Sequence, residues 1–515
     1  MGETILDNKR IAKNTVMLYV RMFLVMGVSL FTSREVLRIL GVEDFGVYNI
    51  VGGIIVLFSF LNNAMVGATQ RFLNFELGRN NQIQASRVFS MSVNVHALVA
   101  LVVLIGGETI GLWFFNTCLN IPVDRKYAAE WVYQFSILAA VVNIMRAPYN
   151  ACIIAYERMS SFAYISIMEV VLKLLIVYLL LWFAVDKLIL YACLTCIVAV
   201  IIGLCFYIVC LKNFSISHYR WLWDKVLFKQ LLNFSGWSLL GNIANLATFQ
   251  GVAIIQNMFC GVLINAAMGI ANQVNAAIYS FVSNFQLAFN PQIVKSYAAQ
   301  KRDYFTILIF RTSRYSFLLL LLISVPIVTY CDEILSFWLD DVPEHTVSFC
   351  RLIIYCSLVD CIAAPLWMGV YASGKIQKYQ IWVAAVLLLN VPFSYLVLLW
   401  GFSAEATIMV RMVLNVILFF FRLFYLKFVV TFSVRSYMKQ VLLPCFYVCM
   451  LILFFMMFLA YCERYYFINS CVQILASFII SACVIYMIGF CSYEKKMLRQ
   501  FVADKLLKIA SNGKG

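Results

Sequence analysis

The chain has 515 residues, 64% of them hydrophobic and only 12% charged, with a formal net charge of +15. A soluble domain carries about 25% charged residues, so this composition excludes a soluble globular fold. A transmembrane barrel is excluded as well, because alternating segments of about ten residues are absent. The sequence therefore predicts an all-α polytopic membrane protein.

About fourteen spans are predicted, each near the 20 or so residues a bilayer core requires. The first six fall at 12–33, 45–69, 86–115, 129–155, 161–183 and 188–211. The next six fall at 231–258, 262–290, 305–330, 347–373, 378–401 and 404–427, and two more at 440–461 and 466–491. Met1 to Lys13 is polar and of mixed charge, and reads as no cleavable signal peptide. The 17 cysteines lie mostly inside apolar runs. Cys193 and Cys196 have C-x-x-C spacing, but within a span they read as small packing residues.

The second half repeats the first. Gly41-Val42 and Phe45-Gly46-Val47-Tyr48-Asn49 return as Gly261-Val262 and Met268-Gly269-Ile270-Ala271-Asn272. Val51 falls on Val274 and Phe58 on Phe281. Glu108 and Trp113 meet Glu333 and Trp338, Ala147-Pro148 meets Ala364-Pro365, and Tyr178 meets Tyr395. The order is kept at a spacing of roughly 220 residues, which pairs spans one to six with seven to twelve. The expected organisation is an N-lobe over 1–211, a linker over 212–230, a C-lobe over 231–428 and a C-terminal helix pair with a basic tail over 429–515. Six spans per repeat insert both lobes the same way up, as in transporters whose substrate site lies between repeats.

Charge sets the expected orientation. With the N-terminus inside, Lys9, Arg10, Lys13, Arg71, Arg79, Arg87, Lys212, Arg220, Lys225, Lys229, Lys295, Lys301, Arg302, Lys375, Lys378, Arg435 and Lys439 all fall on the cytoplasmic face, as does the tail from Lys495 to Lys514. The other face holds Arg34, Arg38, Arg125, Lys126, Lys187 and Arg464, with an acidic loop at Asp332, Glu333, Asp340, Asp341 and Glu344. A bias of about four to one follows the positive-inside rule, so both termini are expected in the cytoplasm. It also accounts for the net charge without nucleic acid. The linker's His218-Tyr219-Arg220-Trp221-Leu222-Trp223 reads as an interfacial helix with tryptophans at headgroup depth. No loop is long enough for a catalytic domain, so no enzymatic role is expected.

Polar groups inside the spans mark the candidate site. Asn272, Asn275, Tyr279, Ser283, Gln286 and Asn290 follow steps of three and four, and so share one face of span eight. Span seven has a looser version in Ser238, Asn242, Asn245 and Gln256. Amides are costly in lipid, so these faces line a watery cavity or bond to neighbouring helices. Arg21, Arg146 and Arg411 lie in mid-span, Glu169 and Lys173 stand four apart in span five, and Asp360 is the main unpaired acid. Intramembrane charge marks a pathway or a structural pair. Arg311 and Arg314 are close enough to the cytoplasmic end to snorkel. Guanidinium forks fit phosphate oxygens, so an arginine-lined cavity suits an anion. Pro148 and Pro365 hold equivalent places where each can kink its helix. The three histidines lack metal-ligand spacing and no P-loop is present, so neither a metal nor ATP chemistry is expected.

The stretch Thr32-Ser33-Arg34-Glu35-Val36-Leu37-Arg38-Ile39-Leu40-Gly41-Val42-Glu43-Asp44-Phe45-Gly46-Val47-Tyr48-Asn49 resembles a family signature. With Phe58-Ser59-Phe60-Leu61-Asn62 and Ala68-Thr69-Gln70-Arg71-Phe72, it is similar to the Wzx-type polysaccharide flippases of the multidrug/oligosaccharidyl-lipid/polysaccharide superfamily. Two six-helix lobes with an extra C-terminal pair extend the resemblance over nearly the whole chain. It implies a bacterial inner-membrane flippase that moves an undecaprenyl-diphosphate-linked glycan to the periplasmic leaflet. Alternating access would be coupled to an H+ or Na+ gradient, with no cofactor. Membrane lipids and the polysaccharide polymerase and ligase machinery are the implied partners, and nucleic acid is not.

By place and charge, Arg21, Arg146, Lys173 and Arg411 would form the anion-binding cavity. Asn242, Asn245, Asn272, Asn275, Ser283, Gln286 and Asn290 would line it, and Asp360 and Glu169 would be the ion-coupling groups. The alternatives are a cation antiporter of the multidrug branch, which calls for buried carboxylates, and a membrane polysaccharide polymerase, which calls for a large extramembrane loop. The peptidoglycan-precursor branch is a close relative.

Overall fold

A chain this apolar must satisfy every backbone N–H and C=O within its own segments, and the helix does so without water. The computed structural model describes residues 2–56, 59–118, 121–183, 185–339, 341–430, 432–463, 470–490 and 494–495. Phe58, Asp340, Arg464 and the tail after Lys495 therefore lie outside the described residues.

The first half is built from α1 (Gly2–Val56), α2 (Ser59–Gly78), α3 (Gln82–Gly106), α4 (Leu112–Cys118), α5 (Lys126–Ala155), α6 (Met159–Trp182) and α7 (Lys187–Asn213). The second follows with α8 (Lys225–Cys260), α9 (Val262–Ala298), α10 (Arg302–Thr329), α11 (Cys331–Trp338), α12 (Thr346–Ser373), α13 (Gln377–Leu388), α14 (Asn390–Leu399) and α15 (Glu405–Val429). Helices α16 (Val434–Tyr437), α17 (Leu443–Glu463) and α18 (Ser470–Val484) complete the chain. Among the described residues, twelve helices are long and apolar enough to cross a membrane. The predicted second and eighth spans are helical too, but α2 carries Asn62, Asn63, Gln70 and Arg71 and α9 carries its amide stripe, which lowers their apolarity. Outward apolar side chains such as Leu453, Phe454 and Phe458 of α17 suit lipid rather than water. The protein is a multi-pass all-α membrane protein.

The repeat is visible in the backbone. Gly41 interrupts α1 with φ 77° and ψ 170°, and Gly261 joins α8 to α9 with φ 82°. These are the two glycines that the sequence repeat aligns, and residues with a Cβ rarely adopt such angles. The packing repeats as well. One core cluster joins Val47 and Val51 of α1, Phe115 of α4, Ala129 and Val132 of α5, and Leu188 and Ala192 of α7. Its counterpart joins Ala267 and Ala271 of α9, Leu335 of α11, Cys350 and Ile353 of α12, and Ala404 with Ile408. Lipid is as apolar as these side chains, so close van der Waals packing, rather than escape from water, favours the clusters. Cys331, Cys350 and Cys356 belong to the second cluster as small packing residues, and Cys193 and Cys196 are both free thiols.

By its internal packing the chain divides into two compact units. The first comprises 1–248, 284–305 and 368–388, and the second 249–283, 306–367 and 389–515. The first unit thus contains segments of both sequence repeats. Within it, Arg71 of α2 donates to the carbonyl of Ala372 at 3.1 Å. Between α5 and α6 the chain turns at Glu157 (φ 58°). The Glu157 carboxylate accepts from Gln292 Nε2 and Lys295 Nζ of α9, each at 2.6 Å, while its carbonyl accepts from Asn14 Nδ2 at 3.2 Å.

The linker departs from expectation. Instead of an interfacial helix, one 3-10 turn at Ser215–Ser217 leads into irregular chain up to α8. That chain is held on α3: Asn94 Nδ2 donates to the Leu222 carbonyl at 2.7 Å, Tyr219 Oη donates to Asn94 Oδ1 at 2.7 Å, and the Arg220 N–H donates to Ser90 Oγ at 3.2 Å. Asp224 then caps α8 by accepting from the Val226 and Leu227 N–H groups. These side-chain bonds satisfy the backbone that a helix would otherwise have to satisfy. Helices α5 and α12 run unbroken through Pro148 and Pro365.

Candidate functional site

Three of the four cations expected to bind an anion come together in the first unit. Helices α5 and α6 form a hairpin, with Arg146 about ten residues before its turn and Glu169 about ten after, so both stand at the same depth, about 15 Å along the helix axes. The Glu169 carboxylate divides its oxygens between two cations: Lys173 Nζ lies 2.9 Å from Oε1, and Arg146 Nη1 lies 3.3 Å from Oε2. Arg21 of α1 is within electrostatic reach of the same carboxylate. Its guanidinium lies 4.5 Å over the Phe162 ring, and its buried Nε has no hydrogen-bond partner. Phe206 of α7 lies 5.8 Å from the Arg146 guanidinium. Three cations thus surround one carboxylate and leave two positive charges over. The expected Glu169–Lys173 pair is present, but Arg146 shares it.

The fourth cation, Arg411, belongs to the second unit. Residues Arg411, Asn415 and Arg422 fall on one face of α15, and that face serves Asp360 of α12. Asn415 Nδ2 donates to Asp360 Oδ2 at 3.0 Å, with Arg411 and Arg422 within electrostatic reach. Tyr279 of α9 lies in range of the same carboxylate. Asp360 is therefore not the unpaired acid the sequence reading made it. Arg422 and Asn415 were missed, although their spacing from Arg411 was a readable signal.

The amides separate in the same way. In the second unit Asn275 accepts from Ser357 Oγ of α12 at 2.7 Å, Ser283 donates to the Ser280 carbonyl at 3.0 Å, and Asn272 is half-buried. Gln256 of that unit is taken up by packing, donating to Thr407 Oγ1 at 2.7 Å. In the first unit, Asn242 and Asn245 are exposed, Asn290 is half-buried and Gln286 is buried. Arg311 and Arg314 do not simply snorkel. Arg314 Nη2 meets Glu494 Oε1 at 2.5 Å and Arg311 Nε lies 3.9 Å from the same oxygen. Among the described residues no three His, Cys, Asp or Glu side chains gather to hold a metal.

No family model and no curated relative matches the sequence. Solved structures do match the fold. A point mutant of a MATE protein superposes with a TM-score of 0.71 at 12% identity, covering 81% of this chain and 97% of its own. An outward-facing multidrug resistance MATE family transporter of the MOP superfamily gives 0.68 at 12%, with 81% and 96% covered. A MOP superfamily transporter from Pyrococcus furiosus, whose binding pocket has a reversed polarity that suggests a different function, gives 0.66 at 13%, with 81% and 96% covered. The chain has the fold of MATE-type transporters of the MOP superfamily.

Proposed function

We propose that this protein is a flippase of the MOP superfamily, moving undecaprenyl-diphosphate-linked oligosaccharide from the cytoplasmic to the periplasmic leaflet for surface polysaccharide or lipopolysaccharide synthesis. The observation that carries the reading is the surplus of positive charge where Arg21, Arg146 and Lys173 surround Glu169. A surplus of this sign within the spans favours an anionic headgroup and disfavours a cationic drug. The transporter fold and the signature around Gly41 support the same assignment. The second unit holds its own intramembrane cation in Arg411, and the amides of α8 and α9 suit sugar hydroxyls. Asp360 and Glu169 are the groups through which an H+ or Na+ gradient would couple to alternating access of the two repeats. The protein resides in the bacterial inner membrane with both termini cytoplasmic, and works with the lipid bilayer and with polymerase and ligase machinery.

The test is leaflet transfer of a lipid-diphosphate glycan in proteoliposomes, comparing wild type with Arg21→Ala and Arg411→Ala. Transfer by the wild type that falls in the folded variants supports the proposal. Absence of transfer together with efflux of a cationic dye would reassign the chain to the multidrug branch, with Asp360 as the next residue to change.

A further inference from the structure

We infer that Glu169 sets the substrate specificity of the cationic cluster, acting as an internal anion that fixes its surplus charge and yields Arg146 and Lys173 to an incoming diphosphate. This rests on the flippase reading only for the identity of the anion; the geometry stands apart from it.

Charge counting comes first. Arg21, Arg146 and Lys173 against Glu169 leave a surplus of two. A diphosphate esterified at both ends, as in a lipid-diphosphate glycan, carries one ionised oxygen on each phosphorus and neutralises that surplus. A phosphate diester carries only one, and would leave one cation without an anionic partner. Unpaired charge within a membrane span is costly, so the cluster discriminates by count as well as by shape.

The geometry shows how exchange proceeds. Each Glu169 oxygen engages a different cation, Lys173 at 2.9 Å and Arg146 at 3.3 Å. A bridging diphosphate offers the same two cations the same kind of acceptor, one phosphate to each. The site is open to exchange, since the side chains of Arg146 and Glu169 are each 25% exposed and that of Lys173 is 47% exposed. Arg21 is the remaining donor: its buried Nε has no partner, and it lies within reach of Glu169. Arg21, within electrostatic reach of Glu169, offsets the carboxylate's charge as the phosphates take over Arg146 and Lys173.

The experiment uses the full-length protein in detergent, with two soluble probes: geranyl-diphosphate-linked and geranyl-phosphate-linked N-acetylglucosamine, titrated by calorimetry. The wild type is expected to bind the diphosphate at least about tenfold tighter than the phosphate. Glu169→Gln should bind the diphosphate about tenfold tighter than wild type, the size of one charge-assisted hydrogen bond redirected to the ligand. Lys173→Gln changes a largely exposed side chain and tests the same count from the other direction. It lowers the surplus to one, so the preference for diphosphate should collapse toward parity. If both variants keep the wild-type preference while Arg146→Gln abolishes binding, Glu169 is a structural partner and the inference fails, although the anion site survives. If no form binds either probe, the flippase reading falls with it.

Discussion

Lys295→Ala removes the cation that meets the most deeply buried acid described in the first unit. The Glu157 side chain is 1% exposed and that of Lys295 is 21% exposed, with 2.6 Å between Oε1 and Nζ. At an effective dielectric of about 20 the bare attraction at such a distance exceeds 4 kcal/mol, but most of it offsets the desolvation of the two groups. What the substitution exposes is the asymmetry: the carboxylate stays buried and keeps Gln292 and its other contacts without the lysine. Breaking a buried pair in this way costs 3–5 kcal/mol, and the partial exposure of Lys295 places the expected loss near the lower end, at about 3 kcal/mol. Removing both charges together, as Glu157→Gln with Lys295→Met, should cost less than about half as much, because no charge is stranded. Equilibrium unfolding in detergent, arranged as a double-mutant cycle, reads both quantities. A Lys295→Ala protein within about 0.5 kcal/mol of wild type would refute the reasoning, since it would mean that the pair is effectively solvated.

Gly41→Ala and Gly261→Ala should each destabilise by about 1–3 kcal/mol through backbone strain, because among the described residues no atom beyond the adjoining chain lies within 4 Å of the Cβ either would add. Two clearly unequal losses in the same unfolding assay would argue against the two turns being equivalent. Gly78→Ala would bring a Cβ to 2.7 Å from the Lys295 backbone, which cannot move aside cheaply, and should cost about 2 kcal/mol; retained stability would mean that α2 and α9 can separate without penalty. Arg125→Gln leaves Asp44 and Asp186 facing one another without the guanidinium they share, and should cost about 2 kcal/mol, a loss that high salt ought to reduce.

Much of the architecture was legible because period and length act locally. Apolar runs of span length become helices wherever lipid removes the alternatives, and the glycines aligned by the repeat stand at matching positive-φ turns. The linker was misread because its form depends on Ser90 and Asn94, which lie more than a hundred residues away in sequence. Arg146 sharing Glu169 could have been read from the equal depth of the two residues in one hairpin. The service of Asp360 by Asn415 could have been read from the helical spacing of Arg411, Asn415 and Arg422. The contact of Glu157 with Lys295 could not: Glu157 sits in a short turn of unremarkable composition, and nothing local announces a partner from the other repeat.

That turn has a kinetic meaning. Any movement that parts the α5–α6 turn from α9 must first undo the bonds of Glu157 to Gln292 and Lys295. If parting costs about 3 kcal/mol, about one molecule in 150 is open at rest. A cargo can raise that fraction only by the difference between its affinities for the open and shut forms, however tightly it binds either. Under the transport function proposed above, the seam would act as a threshold that keeps the unloaded protein from cycling idly, and weakening it should speed empty turnover more than loaded turnover.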